Sequence, residues 1–229
     1  MRRLKDIYAS IDRPVGRTTL GRLCIALAIF LFVVVLFAYI ADEVVEGETL
    51  HRDEKLLLLI NHFATPVLNQ CMLFITTLGD VTSILLATIV IGAYLLRRKK
   101  WQALTQLGFG IAGAAILNIL LKLLFERQRP QLWDLLIHES TYSFPSGHAM
   151  LTSTLGLTII LLAWHTKWRW WVVGVVVLYV ILVGFSRLYL GVHYPTDILA
   201  GWCIGSAWVI AVATILGAVR WRVPLQNRQ

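Results

Sequence analysis

"SFPSGHAM", Ser143–Met150, sets a Pro, a Ser, a Gly and a His between two long apolar stretches. The polar tetrapeptide Pro145-Ser146-Gly147-His148 stands where a membrane helix should begin. Pro suits a first helical turn and Ser caps one. Gly permits close backbone approach. Exposed N–H groups and the positive end of the helix dipole together make a ready anion site. A plain helix start is the other way to read the same four residues. His148 fits that poorly, because Asp or Glu in the first turn would complement the dipole better.

On either side of this tetrapeptide the chain is a series of apolar runs, with 58% hydrophobic residues and nine Trp among 229 residues. Several runs exceed what a soluble core helix needs and match the thickness of a bilayer. Crossings are expected over about Leu23–Ile40, Pro66–Leu96, Leu104–Phe125, Gly147–Trp164, Trp171–Phe185 and Thr196–Val219, the second punctuated by "TLGD" at Thr77–Asp80. The segment 54–63, "EKLLLLINHF", is too short to span and is expected to lie as a helix at the interface. A signal peptide competes for the first run, but the run is long and no A-x-A-like site follows it. The fold class expected is therefore all-α: a polytopic membrane protein with six transmembrane helices and an interfacial helix after the first. It forms a single membrane-embedded domain over residues 1–229.

The net charge is +8. Nucleic acid is not the partner this implies, since no basic stretch is interleaved with a soluble fold. Membrane proteins gather Lys and Arg on cytoplasmic loops. With six crossings, the N-terminus, Arg97–Lys100, Lys167/Arg169 and the C-terminal tail share one side and hold fifteen of the twenty-one Lys and Arg. The opposite side holds ten of the thirteen acids. Both termini are thus expected in the cytoplasm, with loops 41–66, 126–146 and 186–195 facing outward. Cys24, Cys71 and Cys203 lie far apart, in or beside apolar runs, with no metal-type spacing. They are expected to be buried small hydrophobes without a disulfide.

Two further constellations lie at the same outer ends as the tetrapeptide. In "KLLFERQRP", Lys122 and Arg129 are seven residues apart, so a helix stopped by Pro130 would carry both on one face. A snorkelling Lys explains Lys122 alone, but an ionisable group inside a span usually faces a polar cavity or a partner. In "SRLYLGVHYPTD", Ser186-Arg187 closes the fifth crossing and Pro195 opens the sixth. His193 precedes that helix, and Asp197 lies in its first turn, four residues on. A carboxylate on one ring nitrogen fixes the tautomer and raises the basicity of the other. Taken alone, the pair is equally well read as helix capping. Together, Lys122, Arg129 and Arg187 with a helix N-terminus can cradle a phosphoryl group. One His can attack phosphorus and the other can protonate the leaving oxygen.

This pattern resembles the type-2 phosphatidic acid phosphatase family, whose signature is K-x6-RP, PSGH and SR-x5-H-x3-D. Every signature position is matched, by Lys122, Arg129-Pro130, Pro145-Ser146-Gly147-His148, Ser186-Arg187, His193 and Asp197. The motif region is 122–197. The resemblance implies a metal-independent phosphatase working through a phosphohistidine, with no cofactor. It implies that His193 is the nucleophile, Asp197 its orienter and His148 the general acid. Lys122, Arg129, Arg187, Ser146 and the Gly147 amide would hold the phosphate. The soluble haloperoxidases of the family do not fit so apolar a chain.

The short six-crossing form and "HESTYSFPSGH" are similar to bacterial enzymes acting on undecaprenyl diphosphate or phosphatidylglycerophosphate. The resemblance therefore implies a bacterial cytoplasmic-membrane enzyme with an extracytoplasmic site. Its partners would be the bilayer and a lipid phosphate, first undecaprenyl diphosphate, otherwise phosphatidylglycerophosphate or phosphatidic acid. Glu126, Arg127, Glu139 and Tyr142 are candidates for shaping substrate choice, but the reading favoured for each is a solvated loop residue. A non-enzymatic lipid transporter would also want cations within spans, but gives no reason for a His–Asp pair beside a second His.

Overall fold

A computed structural model describes residues 17–222; the first sixteen residues, with much of the basic N-terminal stretch, and the last seven, most of the C-terminal tail, lie outside the described residues. Among the described residues there are eight helices and no strand. They are α1 (Arg17–Val45), α2 (Leu50–Asn61), α3 (Pro66–Thr77), α4 (Val81–Arg97), α5 (Trp101–Phe125), α6 (Gly147–Ala163), α7 (Arg169–Tyr189) and α8 (Pro195–Arg222).

α1, α5, α7 and α8 are each long and apolar enough to cross a membrane. α3 and α4 qualify only as a pair, bent by 46° at their break. α6 is apolar but has 17 residues. Four helices, or five spans with the bent pair, therefore qualify by length and composition, so the expected count of six holds only approximately, with α6 as the sixth apolar segment; α2 is the short helix that follows the first crossing. Leu57 of α2 is fully buried, whereas Leu56, Leu58 and Leu59 on its outer side are exposed.

α6 is the hub, packing on α4, α5, α7 and α8. Its first three turns are buried and carry small polar residues, Thr152, Ser153 and Thr154 among them. Small residues let helices approach closely where lipid gives no hydrophobic drive between them. α8 answers with Gly201 and Gly205, one turn apart. A Cβ at Gly201 would stand 2.8 Å from the Ser146 carbonyl oxygen, and one at Gly205 would stand 2.6 Å from that of Met150. This contact sets the starts of α6 and α8 side by side, and the Ser146 N–H donates to the Asp197 carbonyl at 3.1 Å.

Three expectations need correction. α5 ends at Phe125, because Glu126 turns into the left-handed region at φ 45°; Arg129 therefore lies in the following loop and not on the helix with Lys122. α7 runs on to Tyr189, so Arg187 sits inside its last turn. The cysteines are free, but Cys24 and Cys71 are exposed and only Cys203 is half-buried. An apolar residue on a membrane helix needs no protein core, since lipid is as apolar as Leu.

Candidate active site

The site forms where α5, α6, α7 and α8 end or begin, roofed by the loop 126–146. Ser146 caps α6, accepting from the Ala149 N–H at 3.5 Å, and Pro145 precedes the cap. Gly147 is fitted to α5: a Cβ there would meet Asn118 Oδ1 at 3.1 Å. His148 follows, half-buried, with its Nε2 4.0 Å from Asp80 Oδ1 at the α3–α4 break. Gly79 packs beside the same imidazole, so the "TLGD" interruption lines the site.

Lys122 and Arg129 converge although only one is helical. The loop folds back, with the Ser143 N–H donating to the Arg127 carbonyl at 2.8 Å. This brings Thr141 between them: Lys122 Nζ donates to Thr141 Oγ1 at 2.8 Å, and Arg129 Nη2 to the same oxygen at 3.2 Å. Arg187, 1% exposed, donates to Thr76 Oγ1 at 2.7 Å and is paired with Glu139. Its Nε is buried without a hydrogen-bond partner. Glu139 also lies 3.9 Å from Arg129 Nη2. Burial would push the Glu139 carboxyl up, but Arg187 and then Arg129 outweigh it and hold the group below the usual carboxylate range. A cavity of about 570 Å³ opens here, lined by Lys122, Arg129, Glu139, Thr141 and, from the outer face of α5, Ile119 and Leu123.

His193 is 1% exposed and held from both ring nitrogens. Nδ1 lies 3.3 Å from Asp197 Oδ2, and Nε2 lies 3.2 Å from Arg129 Nη1. Arginine only donates, so Nε2 accepts and Nδ1 carries the proton. Burial pushes the imidazole pKa down to about 3, against the pull of Asp197. The ring is therefore neutral, with the lone pair of Nε2 facing the cationic groups and accepting from Arg129. Asp197 does two jobs. It accepts the Tyr194 N–H at 2.8 Å as a helix cap, and it orients His193.

Asp197 is also held by Ser143, which the sequence did not single out, and by Arg127, which it read in another role. Ser143 donates to Oδ2, and Arg127 Nη1 donates to Oδ1 at 2.7 Å. Arg127 and Glu139 are thus not solvated loop residues: Arg127 is 11% exposed and bound to two carboxylates, and Glu139 is paired with Arg187. The expected residues Lys122, Arg129, Arg187, Ser146, Gly147, His148, His193 and Asp197 are brought to one region. Asp80, Ser143, Glu139, Arg127 and Asp53 join them.

A family model described as the PAP2 superfamily matches residues 103–221. The chain is 36% identical over 188 residues to phosphatidylglycerophosphatase B of Bacillus subtilis, covering 78% of this chain and 88% of that protein. It is 31% identical over 196 residues to an undecaprenyl-diphosphatase of Sulfolobus acidocaldarius, covering 81% and 86%. Among solved structures, a transmembrane PAP2-type phosphatidylglycerolphosphate phosphatase from Bacillus subtilis superposes with a TM-score of 0.72 at 32% identity, covering 88% of this chain and 98% of that one.

Proposed function

The chain belongs to the PAP2 superfamily and is a membrane phosphatase, and from that premise we propose that it removes the terminal phosphate of a lipid phosphate through a phosphohistidine on His193. The whole chain acts as one domain. The observation that carries the reading is Glu139. A carboxylate of the protein itself is lodged among Arg187, Arg129 and Lys122, beside an Arg187 Nε–H that has no partner. Three cations around one anion describe a cradle for a phosphoryl group.

The chemistry follows from the tautomer. Phosphate entering the cradle displaces Glu139 and draws Arg129 off His193 Nε2. The Nε2 lone pair attacks phosphorus in line, and the ester or anhydride oxygen departs with a proton from His148. The ring becomes cationic as the N–P bond forms, and Asp197 stabilises it. Water then attacks phosphorus, giving its proton back to His148, and the N–P bond breaks to release inorganic phosphate. No step uses a metal or cofactor. Among the described residues no group of three or more His, Cys, Asp or Glu is gathered as a metal site requires.

The substrate proposed first is undecaprenyl diphosphate, converted to the monophosphate. The cavity reaching the lipid-facing Ile119 and Leu123 suits a phosphate carried on an apolar chain. Phosphatidylglycerophosphate is the second reading, supported by the likeness to the Bacillus subtilis enzyme over most of both chains. The reading proposed for sidedness has both termini in the cytoplasm of a bacterial cell and the site at the outer surface of its inner membrane, and the bias of Lys and Arg among the loops supports it. Phosphate release by purified protein, in excess chelator, from undecaprenyl diphosphate, phosphatidylglycerophosphate, phosphatidic acid and lipid A tests the reading. Release from none of them, or release that returns only on adding Mg²⁺ or Zn²⁺, would sink it.

A further inference from the structure

Behind Asp197, on the side away from His193, lies a second ionic layer. Arg127 Nη1 donates to Asp197 Oδ1 at 2.7 Å, and its Nη2 donates to Asp53 Oδ2 at 2.9 Å. Asp53 comes from the first turn of α2 and is 3% exposed. It also accepts the Thr196 hydroxyl at 2.5 Å and the Thr196 N–H at 3.3 Å, so α2 is fastened to the first turn of α8. The Arg127 guanidinium stacks over the Tyr194 ring, 4.2 Å from its centroid. A buried guanidinium with its fork shared between two carboxylates is fixed in position and orientation.

The charges in this layer do not cancel. Asp53, Arg127 and Asp197 sum to one negative charge, beside a neutral His193. When His193 bonds to phosphorus its ring becomes cationic, and the layer is then balanced. With two full positive charges on Asp197 before reaction, little attraction would remain for the developing imidazolium. With none, Asp197 and Asp53 would face each other as buried like charges, and one would take up a proton. A single shared Arg lies between these limits.

We infer that Arg127 is a positioning residue for the His193–Asp197 pair, and that Asp53 of α2 sets how much of its charge Asp197 receives. This assignment rests on the phosphatase reading. Arg127 touches no reacting atom; it acts by holding Asp197 ionised and aimed at Nδ1.

The charged and titratable groups around Asp197 are Asp53 from α2, Lys122 from α5, Arg127 and Arg129 from the loop, His193 itself, and Tyr194, within whose electrostatic reach Glu54 of α2 also lies. Arg187 of α7 and His148 of α6 lie beyond His193. α1 presents the apolar Phe37, Ile40, Ala41 and Val44 near the start of α8, against Phe144 and Ala200. Asp53 contacts Arg127 without lining the cavity, so D53N leaves the phosphate groups in place; Arg127 borders the cavity, but both ends of its fork are taken by Asp53 and Asp197.

The test is the pH profile of kcat and KM for full-length wild type, R127Q, R127K, D53N and D53N/R127Q, on a substrate that the wild type hydrolyses. R127Q should lower kcat by about 10–100-fold, as loss of an orienting partner does, with KM within about threefold. The acid limb of its kcat profile should move to higher pH. Adding D53N to R127Q removes the like charge and should bring the limb back towards that of the wild type. D53N alone gives Asp197 all of Arg127 and should move the limb to lower pH, a result that stands even if R127Q fails to fold. R127K keeps the charge without the fork, so kcat should fall while the limb stays. Limbs that coincide in wild type, R127Q and D53N would overturn the assignment, as would a raised KM at unchanged kcat. A wild-type chain that releases no phosphate from the whole panel overturns the phosphatase reading, and this assignment with it.

Discussion

The carboxylate of Glu139 is paired with the guanidinium of Arg187 at the centre of the cationic cradle. On the proposed reading, one residue of the loop 126–146 thus occupies ground that a substrate phosphate needs.

Glu139 competes with every anion that enters. A ligand for a site that is only fractionally open binds more weakly by that fraction. E139Q keeps the shape and removes the charge. Orthovanadate, a phosphate analogue, should then inhibit about tenfold more tightly, a change of about 1.4 kcal/mol, and KM for the lipid should fall in step. An unchanged or weakened vanadate inhibition constant would show that Glu139 helps to bind substrate and does not exclude it.

The all-helical membrane fold was readable from the length of the apolar runs, because in a bilayer every backbone group must be satisfied within its own segment; the count of six was only approximate, since α6 is shorter than a full span and α3 and α4 qualify only as a bent pair. That the three motifs would meet was readable too, since each is a short run of fixed spacing at or beside a helix end. Arg127 was not. Its partners Asp197 and Asp53 are 70 and 74 residues away along the chain, and no local period reports such a contact. Its one sequence cue is its place, two residues after a helix stop and two before Arg129, where a cation beside a cation needs an acid nearby. The end of α5 was misjudged because Pro130 marks only where a helix must have stopped. Glu126 stops it earlier, by adopting the left-handed conformation without the glycine that usually signals it.

Acid should destabilise the fold through His193. The native imidazole stays neutral to about pH 3, whereas an unfolded histidine takes up a proton below about 6.5. Between those values the unfolded chain binds the extra proton, so stability is full above about 6.5 and is lost as pH falls through the window. Thermal unfolding in detergent, followed by the emission of the nine Trp, should show a lower midpoint at pH 5 than at pH 7. H193N cannot titrate there and should flatten that dependence. Equal slopes in both proteins would mean that other groups set the acid limit.

Sidedness can be read with one cysteine. Ser140 is exposed in the loop that roofs the cradle. S140C, in a background with Cys24, Cys71 and Cys203 replaced, should react with an impermeant thiol reagent added to intact spheroplasts. Labelling confined to inverted vesicles would place the site, and the phosphate it releases, in the cytoplasm.

The two histidines should fail differently when removed. His193 has Nδ1 committed to Asp197 and an unprotonated Nε2, which suits attack on phosphorus once Arg129 turns to the substrate. His148 has no such committed carboxylate, with Asp80 at 4.0 Å and largely exposed. It sits in the first turn of α6, where the helix dipole disfavours its cation, so a proton held there is readily given up. The negative charge of a bound phosphate favours the protonated ring again at the moment an acid is needed. H193A should therefore form no acid-labile phosphoenzyme with any substrate. H148A should lose about 10²–10⁴-fold on lipid phosphates, the range for a missing general acid. It should regain part of that loss on p-nitrophenyl phosphate, whose leaving group needs little protonation. A phosphoenzyme trapped in H193A, with H148A equally inactive on both kinds of substrate, would reverse the two roles and leave Asp197 orienting the acid instead of the nucleophile.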